Sequence, residues 1–437
     1  MKKISTLIIM LVLLNVRSEA QTWLALASGL GSGSESVKAI AVDTVSGSIY
    51  AGGTFTGSIN YLAKWNGTSW EQLGTGIAGP VFALAIKGQD LYVGGSFTDA
   101  GGIAVNNIAK WSSGSWSDVN GGFNGQVNCI FLSASQDLYA GGTFSLSGLN
   151  TMNHVSKLVN DVWTQVGSGI NSVVNTIVEH GGSLYAGCDN FSDPVQKFDG
   201  SSWGSVGGVS GGKVFALASF GNFLYAGGDF SIPTPAASKF DGTSWGTIQT
   251  IFNFDDKIYA FSTRTSVLYI GGKFTNQGIP NLQASYVARI NSPITPIQTI
   301  TLTTSELNGE VYAIGNLTGK VIAGGKFSSP GANIVITSTT IDVNEMSDLV
   351  LEKNFFPNPV NGKAQLIVTT KEKLKNPQLE IYDLQSRLIS NLSLDKKINN
   401  KTIEFNIDCA NLPAGNYSYK LIAEGTGILS DKFVISQ

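Results

Sequence analysis

Ile49-Tyr50-Ala51-Gly52-Gly53-Thr54-Phe55 does not stand alone in this chain. An apolar residue, an aromatic or aliphatic residue, an alanine or branched aliphatic, a glycine pair and a closing phenylalanine return at residues 91–97, 138–144, 184–191, 224–230, 268–274 and 321–327. The copy at 184–191 is degenerate, with Cys188 in place of the second glycine. That makes seven copies, 40 to 53 residues apart. Each follows a short apolar run such as Val81-Phe82-Ala83-Leu84-Ala85-Ile86. Most precede a pair of strand-like runs, as in Ala63-Lys64-Trp65-Asn66-Gly67-Thr68-Ser69-Trp70.

Each unit therefore holds four short strands. A period near 45 residues with four strands is the signature of a β-propeller blade, which cannot bury both faces alone. Asn66-Gly67, Asp199-Gly200 and Asp241-Gly242 fall between the third and fourth strands, where the sequence predicts two-residue type I′ hairpins with positive φ at both positions. The glycine pair serves close approach, since a residue without Cβ admits a neighbouring backbone or a large ring. The seventh unit lacks a tryptophan-bearing fourth strand after residues 333–337, but residues 23–30 align with residues 70–77. The mature N-terminus is thus expected to supply the outer strand of blade seven and close the ring, which removes an open edge.

Composition sets the limits around this repeat. The chain has 437 residues, 52 of them glycine, with 14% charged residues and a net charge of −3. No basic stripe is available for phosphate backbones, which excludes nucleic acid as a partner. Met1-Lys2-Lys3, an apolar run over residues 4–14 and Ser18-Glu19-Ala20 read as a secretory signal peptide over residues 1–20; the run is too short to span a bilayer. No later segment approaches a transmembrane helix. Residues 1–350 hold 48 of the glycines and the last 87 residues only 4, so two different domains meet near residue 350. The expected organisation is all-β: a seven-bladed β-propeller over 21–342, a linker over 343–354 and a small antiparallel β-sandwich, immunoglobulin-like, over 355–437.

The repeats resemble those of fungal cortical cell-polarity marker proteins and, more distantly, kelch and galactose-oxidase propellers. The resemblance spans about 320 residues and rests on the Tyr-x-Gly-Gly-x-Phe and Trp-Asn-Gly-x-x-Trp elements. It implies the fold and carries little about activity.

The C-terminal segment alternates apolar and polar positions, as in Leu379-Glu380-Ile381-Tyr382. Pro357-Asn358-Pro359 opens it, Tyr382-Asp383 lies midway, Leu412-Pro413-Ala414-Gly415-Asn416-Tyr417 comes late and Asp431-Lys432-Phe433-Val434 closes it. This order is similar to the type A sorting domain of the type IX secretion system of Gram-negative Bacteroidota. The resemblance implies that Pro357, Asn358, Pro359, Gly415, Tyr417 and Lys432 carry the sorting motif, that the secretion machinery is a partner, and that the protein is secreted or held at the outer-membrane surface. Ser386 departs from the glycine usual before Arg387. An adhesion module without an export role is the competing reading.

Little in the sequence points to catalysis. The two histidines, His154 and His180, fall in different units without companions at ligand spacing, so no metal site and no cofactor is expected. This also removes galactose-oxidase chemistry. His154 is placed in a variable loop and His180 in a tight turn, both as exposed polar residues. Asp241-Gly242-Thr243-Ser244-Trp245 is close to a sialidase Asp box but lacks its spacing residue, and the propeller segment has only Arg264 and Arg289 where three arginines would be needed. Asp43, Asp90 and Asp137 recur before the second strand and read as turn chemistry. Lys64, Lys110, Lys157, Lys197, Lys239 and Arg289 recur in the third strand and read as structural. The tryptophans read as packing between blades, and Cys129 and Cys188 as buried free thiols.

The loops between second and third strands vary in length and share one face with the blade-to-blade connections. Variable loops on a rigid scaffold are where binding concentrates. Any ligand site is assigned to that face, with Asp99, Asn106, Asn107, Asn150, Asn153, Asp193, Asn276 and Gln277 as its polar candidates. The expected function is non-catalytic binding or adhesion to an extracellular glycan or protein. The alternatives are a polysaccharide hydrolase or lyase with its site at the propeller pore, recognisable by converging acids or tyrosines, and a purely structural surface component.

Overall fold

The structure, a computed structural model, describes residues 23–32, 34–248, 254–264, 267–275, 286–291, 307–317, 320–337, 350–370, 373–374, 376–382, 388–392, 396–410, 412–423 and 426–436. The signal-peptide segment, Asn276, Gln277, Ser386 and the expected fourth strand of the sixth unit lie outside the described residues.

The first strand of every repeat has a β-branched residue at its first or second position, followed by one variable residue and then a small one, for instance Val37-Lys38-Ala39 or Val311-Tyr312-Ala313. Between the branched and the small residue the register slips in all seven repeats, so that the variable residue is the extra member of a β-bulge. The first repeat pairs Val37–Val42, Ile49–Gly53, Leu62–Trp65 and Trp70–Glu71 in order. The next four repeats build the same four-stranded antiparallel sheet. The sixth contributes Ile258–Arg264, Val267–Gly272 and Val287–Asn291. The seventh contributes Glu310–Leu317, Lys320–Lys326 and Ile334–Thr337, and its outer strand is Trp23–Ala25, with Trp23 opposite Thr337. First strands of successive sheets touch in circular order, the seventh against the first. The fold is a β-propeller.

The two glycines of each repeat do different work. A Cβ on the first would strike the branched residue that opens the next blade: Gly52 against Cγ1 of Val81 at 2.3 Å, Gly141 against Val174 at 2.5 Å, and Gly324 against Val37 at 2.5 Å. A Cβ on the second would strike the carbonyl just ahead of its own blade's bulge, as Gly53 on Ser36 O at 2.0 Å and Gly325 on Glu310 O at 1.9 Å. Branched aliphatics and backbone make the closest of these contacts, and aromatic rings add to them, as Phe261 does at Gly227 at 2.8 Å.

Outer-strand tryptophans fasten each blade to the one before it. The indole Nε1 of Trp70 donates to Leu26 O at 3.1 Å, Trp116 to Leu73 O at 3.0 Å, Trp163 to Val119 O at 3.0 Å and Trp203 to Val166 O at 3.1 Å. Trp245, the fifth of the series, buries its Nε1 without a hydrogen-bond partner. Each made bond contributes about 1 kcal/mol, and each carbonyl lies in the preceding blade.

The hairpins differ from expectation. Trp65 pairs directly with Trp70, which leaves a four-residue loop, 66–69, with positive φ at Gly67 only. Asn66 Oδ1 accepts the Thr68 and Ser69 amides at 2.9 Å each, and Asp199 and Asp241 hold the matching loops in the same way. The short acceptor side chain replaces the second left-handed residue. Two-residue turns with positive φ at both positions occur instead at Ser113-Gly114 and Asn160-Asp161.

Two four-stranded antiparallel sheets follow, sharing one core around Leu366, Phe405, Leu421 and Phe433. Their first strand, Val350–Phe356, begins inside the segment read as linker.

Candidate functional site

The bulges place one extra side chain per blade where the first strand begins, beside the end of the second strand, and thus at the axial mouth of the variable-loop face. Consecutive bulge residues meet around the axis. Phe215 and Tyr259 lie with ring centroids 5.6 Å apart, and Tyr259 and Tyr312 4.8 Å apart. Lys38, from the first blade, sets Nζ 3.2 Å from the centroid of Tyr312. Across the ring, Asn128 Nδ2 donates to Val174 O at 3.0 Å, and Asn175 Nδ2 to Val214 O at 3.0 Å and to Asp189 Oδ1 at 2.7 Å. All these side chains are half-buried. The mouth thus has an aromatic arc on blades five to seven, a cation beside it and an amide arc on blades three and four.

The electrostatics of the arc follow from its burial. Desolvation pushes the Lys38 ammonium down to about 8, opposed by Glu310 and reinforced by Lys326. Burial pushes the Tyr259 phenol up to about 12. Tyr312 is pushed up further by burial and by its hydroxyl's hydrogen bond to Glu310. At neutral pH both phenols are protonated donors. Around this arc, Lys213 pairs with Asp189 at 2.7 Å, Lys257 with Asp229 at 2.7 Å and Lys273 with Asp256 at 3.1 Å.

The described loop residues read from sequence sit on separate loops. Asn106 Nδ2 donates to Gly121 O at 2.9 Å, Asn107 Nδ2 to Phe123 O at 2.8 Å and Asn153 Nδ2 to Ser168 O at 3.1 Å. These amides tie their loops to the following blade connection. Asp99 and Asn150 sit on two separate small hairpins, Asp99–Ala100 with Ile103–Ala104 and Leu146–Ser147 with Asn150–Thr151, and Asp99 Oδ1 accepts the Gly102 amide at 3.1 Å. Asp193 Oδ2 accepts Gln196 Nε2 at 2.8 Å.

Neither histidine is a freely exposed side chain. His154, with φ +69°, is half-buried and places Nδ1 2.8 Å from Ile170 O. His180 ends the strand Val174–His180, half-buried, with Nδ1 2.9 Å from Ser219 Oγ of the next blade. Both are held by the blade that follows. Asp90 and Asp137 pair with Lys110 and Lys157 at 3.7 and 2.8 Å, while Asp43 caps its own turn through the Val45 amide. The bulge girdle escaped the sequence reading because its residue type changes from blade to blade. Its available signal was positional: the most variable position inside a repeated pattern of a branched residue, any residue and a small residue.

In the C-terminal sandwich, the motif residues converge on the last strand. Asn358 Oδ1 accepts the Val434 amide at 2.9 Å, and Val360 and Ser436 exchange further backbone bonds with that segment. Tyr417, from Gly415–Ala423, donates its hydroxyl to Pro413 O at 2.9 Å and stacks on Phe433 at 5.7 Å. Lys432 stands opposite Ser418 in the ladder. The family model described as the secretion system C-terminal sorting domain matches residues 354–436. This segment is a type IX sorting domain. The protein it carries is exported by that system and is secreted or displayed at the cell surface of a Bacteroidota bacterium.

The Rax2 C-terminal beta propeller domain model matches residues 81–220, within the repeats that resemble cortical polarity markers. No curated protein matches the chain. Among solved structures, the chain is similar to YCF48 bound to D1 peptide, at 10% identity and TM-score 0.48, covering 74% of this chain and 97% of that one. It is similar to a chain of the mitotic checkpoint complex, at 12% and 0.48, covering 78% and 100%. It is also similar to the extracellular domain of the putative hybrid two component system BT4673 from B. thetaiotaomicron, at 10% and 0.34, covering 92% and 68%. At such identities and scores none of these likenesses bears on what this chain binds. No helix among the described residues is long and apolar enough to cross a membrane.

Proposed function

We propose that this exported protein is a non-catalytic glycan-binding module whose ligand sits at the axial mouth of the variable-loop face. The supporting observation is the bulge girdle: flat aromatic faces on one side, amides on the other, on first strands that cannot shift without breaking the ring. Aromatic faces bury the apolar face of a sugar ring, and fixed polar groups select its hydroxyls. The kelch-like loops carrying Asp99, Asn150 and Asp193 rim this mouth and extend the contact outward, while Asn106, Asn107 and Asn153 hold the loops in place. In this reading residues 1–20 are a signal peptide, residues 21–342 the propeller, and residues from about 350 the export domain.

A glycan array probed with the mature protein tests the reading. Binding lost in Tyr259→Ala and kept in Lys87→Gln, at the far end of a first strand, supports it; a blank array, or binding indifferent to Tyr259, refutes it.

The convergence of Tyr259, Tyr312, Glu310 and Lys38 favours one second reading, a polysaccharide hydrolase or lyase at the pore. Glycoside hydrolysis by paired carboxylates needs two acids flanking one bond, whereas Glu310 is engaged by Tyr312 and both phenols are held protonated, which suits donors better than bases. Release of reducing ends or unsaturated products from a bound polysaccharide separates the two readings.

A further inference from the structure

The lysines around the mouth fall into two groups. Lys213, Lys257 and Lys273 each meet an aspartate within 3.1 Å. Lys38 and Lys326 make no ion pair among the described residues, although both stand by Glu310. The ammonium of Lys38 is held on the face of Tyr312 and not by a carboxylate. Glu310, the acid beside them, accepts the Tyr312 hydroxyl. Two cations therefore face one engaged carboxylate, and an ammonium seated on a ring retains N–H donors for a further acceptor. The chain as a whole carries a net charge of −3, so this cationic spot is local and not a share of a general field.

Resting on the reading of the mouth as a glycan site, we propose that the girdle takes an anionic sugar, its ring against Tyr259 and Tyr312 and its carboxylate or sulfate against Lys38 and Lys326. Such a ligand supplies the counter-charge that the fold withholds. A hydrogen bond between ions in a half-dry site is about twice as strong as a neutral one, so the anion is the selective element and the aromatic face the general one. The groups facing Lys38 are Tyr312, Glu310 and Lys326, with Tyr259 beyond. Of these, Lys38 itself changes charge near pH 8, losing its proton as the pH rises. Bound anion holds that proton on, so affinity falls between pH 7 and pH 9.

The test is calorimetric titration of the full mature protein with polygalacturonate, dextran sulfate and unmodified dextran at pH 7 and pH 9. Binding of one or both anionic polymers, absent for dextran, weakened at least tenfold by Lys38→Gln and severalfold at pH 9, supports the proposal. Polygalacturonate alone assigns a uronate and dextran sulfate alone a sulfate ester. Lys87→Gln, at the opposite end of a first strand, leaves the affinity within twofold; an equal loss in that variant exposes general charge attraction and overturns the proposal. Dextran binding that is lost in Tyr259→Ala overturns the anionic class and leaves the pore-mouth reading standing. No binding to any polymer by a protein with an unchanged melting profile overturns both.

Discussion

Gly324 in the seventh blade faces Val37 in the first so closely that a Cβ on the glycine would lie 2.5 Å from the valine Cγ1. The same contact recurs from Gly52 to Val81 and onward, with Ile258 in the valine's place opposite Gly227, so the circle closes on itself through a repeated step from glycine to a branched aliphatic. Gly324→Ala forces an overpacked interface and is expected to cost about 1–3 kcal/mol. Gly325→Ala meets the Glu310 carbonyl, backbone that cannot rotate aside, and is expected to cost more. Urea unfolding midpoints of the two variants check this order.

Deleting residues 23–30 removes the outer strand of the seventh blade and strands two donors, Trp70 Nε1 and Asn333 Nδ2, whose acceptors are Leu26 O and Leu30 O. The melting temperature is expected to fall by several degrees or more. Trp70→Phe alone is expected to cost about 1 kcal/mol for its hydrogen bond. In the deleted protein the same substitution should cost less, because its acceptor is already gone; a double-mutant cycle reads the coupling.

Lys38 sets a pH dependence of stability. Its folded pKa lies near 8 and its ordinary value is 10.5, so between these the unfolded chain holds a proton that the fold has shed. Lys38 therefore makes stability rise with pH from about 8, by at most about 1.4 kcal/mol per pH unit, until the thiols of Cys129, Cys188 and Cys409 begin to ionise in the unfolded chain at about 9. From about 9 the trend reverses, since these thiols, and from about 10 also Tyr259 and Tyr312, resist ionisation in the fold but not when unfolded. Lys38→Met should stabilise the protein at pH 7 and abolish the rise, as followed by denaturant midpoints across pH 7 to 10.

The thiols are expected to be silent. Cys188 is buried, and the Sγ of Cys129 lies against Gly141, so burial pushes the first well up and the second up to about 12. Burial also raises Cys409. With so little thiolate at pH 8, an aromatic disulfide reagent should titrate none of the three until denaturant is added, and all three afterwards.

Residues 343–437 fused behind a signal-peptide-bearing reporter should carry it out of a Bacteroidota cell. The same fusion ending at Phe433 loses the Val434 amide that Asn358 grips, and the backbone partners of Val360. That reporter is expected to stay in the periplasm, which fractionation and immunoblotting detect.

How far the sequence speaks can be judged residue by residue. Gly52 and Gly53 announced the blade because a Cβ would strike the Val81 side chain at the first and the Ser36 carbonyl at the second. Trp23 announced the seam because it repeats Trp70. The mouth stayed hidden for the opposite reason. Lys38, Asn128, Phe215 and Tyr312 occupy one structural position with unlike chemistry, and a bulge breaks the alternation by which inward residues are usually counted. Loop asparagines are hard to read because an exposed amide looks the same whether it awaits a ligand or braces a turn; Asn106 and Asn153 brace.

The bond from Asn333 to the Leu30 carbonyl joins residues 303 positions apart. During synthesis the leading strand has no sheet to enter until nearly the whole hoop has emerged, so the clasp is the last joint to form and the slowest to find. Until then the terminal blade offers a bare ladder to any passing chain. Export that waits for finished cargo would spare this protein that hazard, and a clasp made from its own leading end lets completion of the hoop report that every intervening blade has arrived.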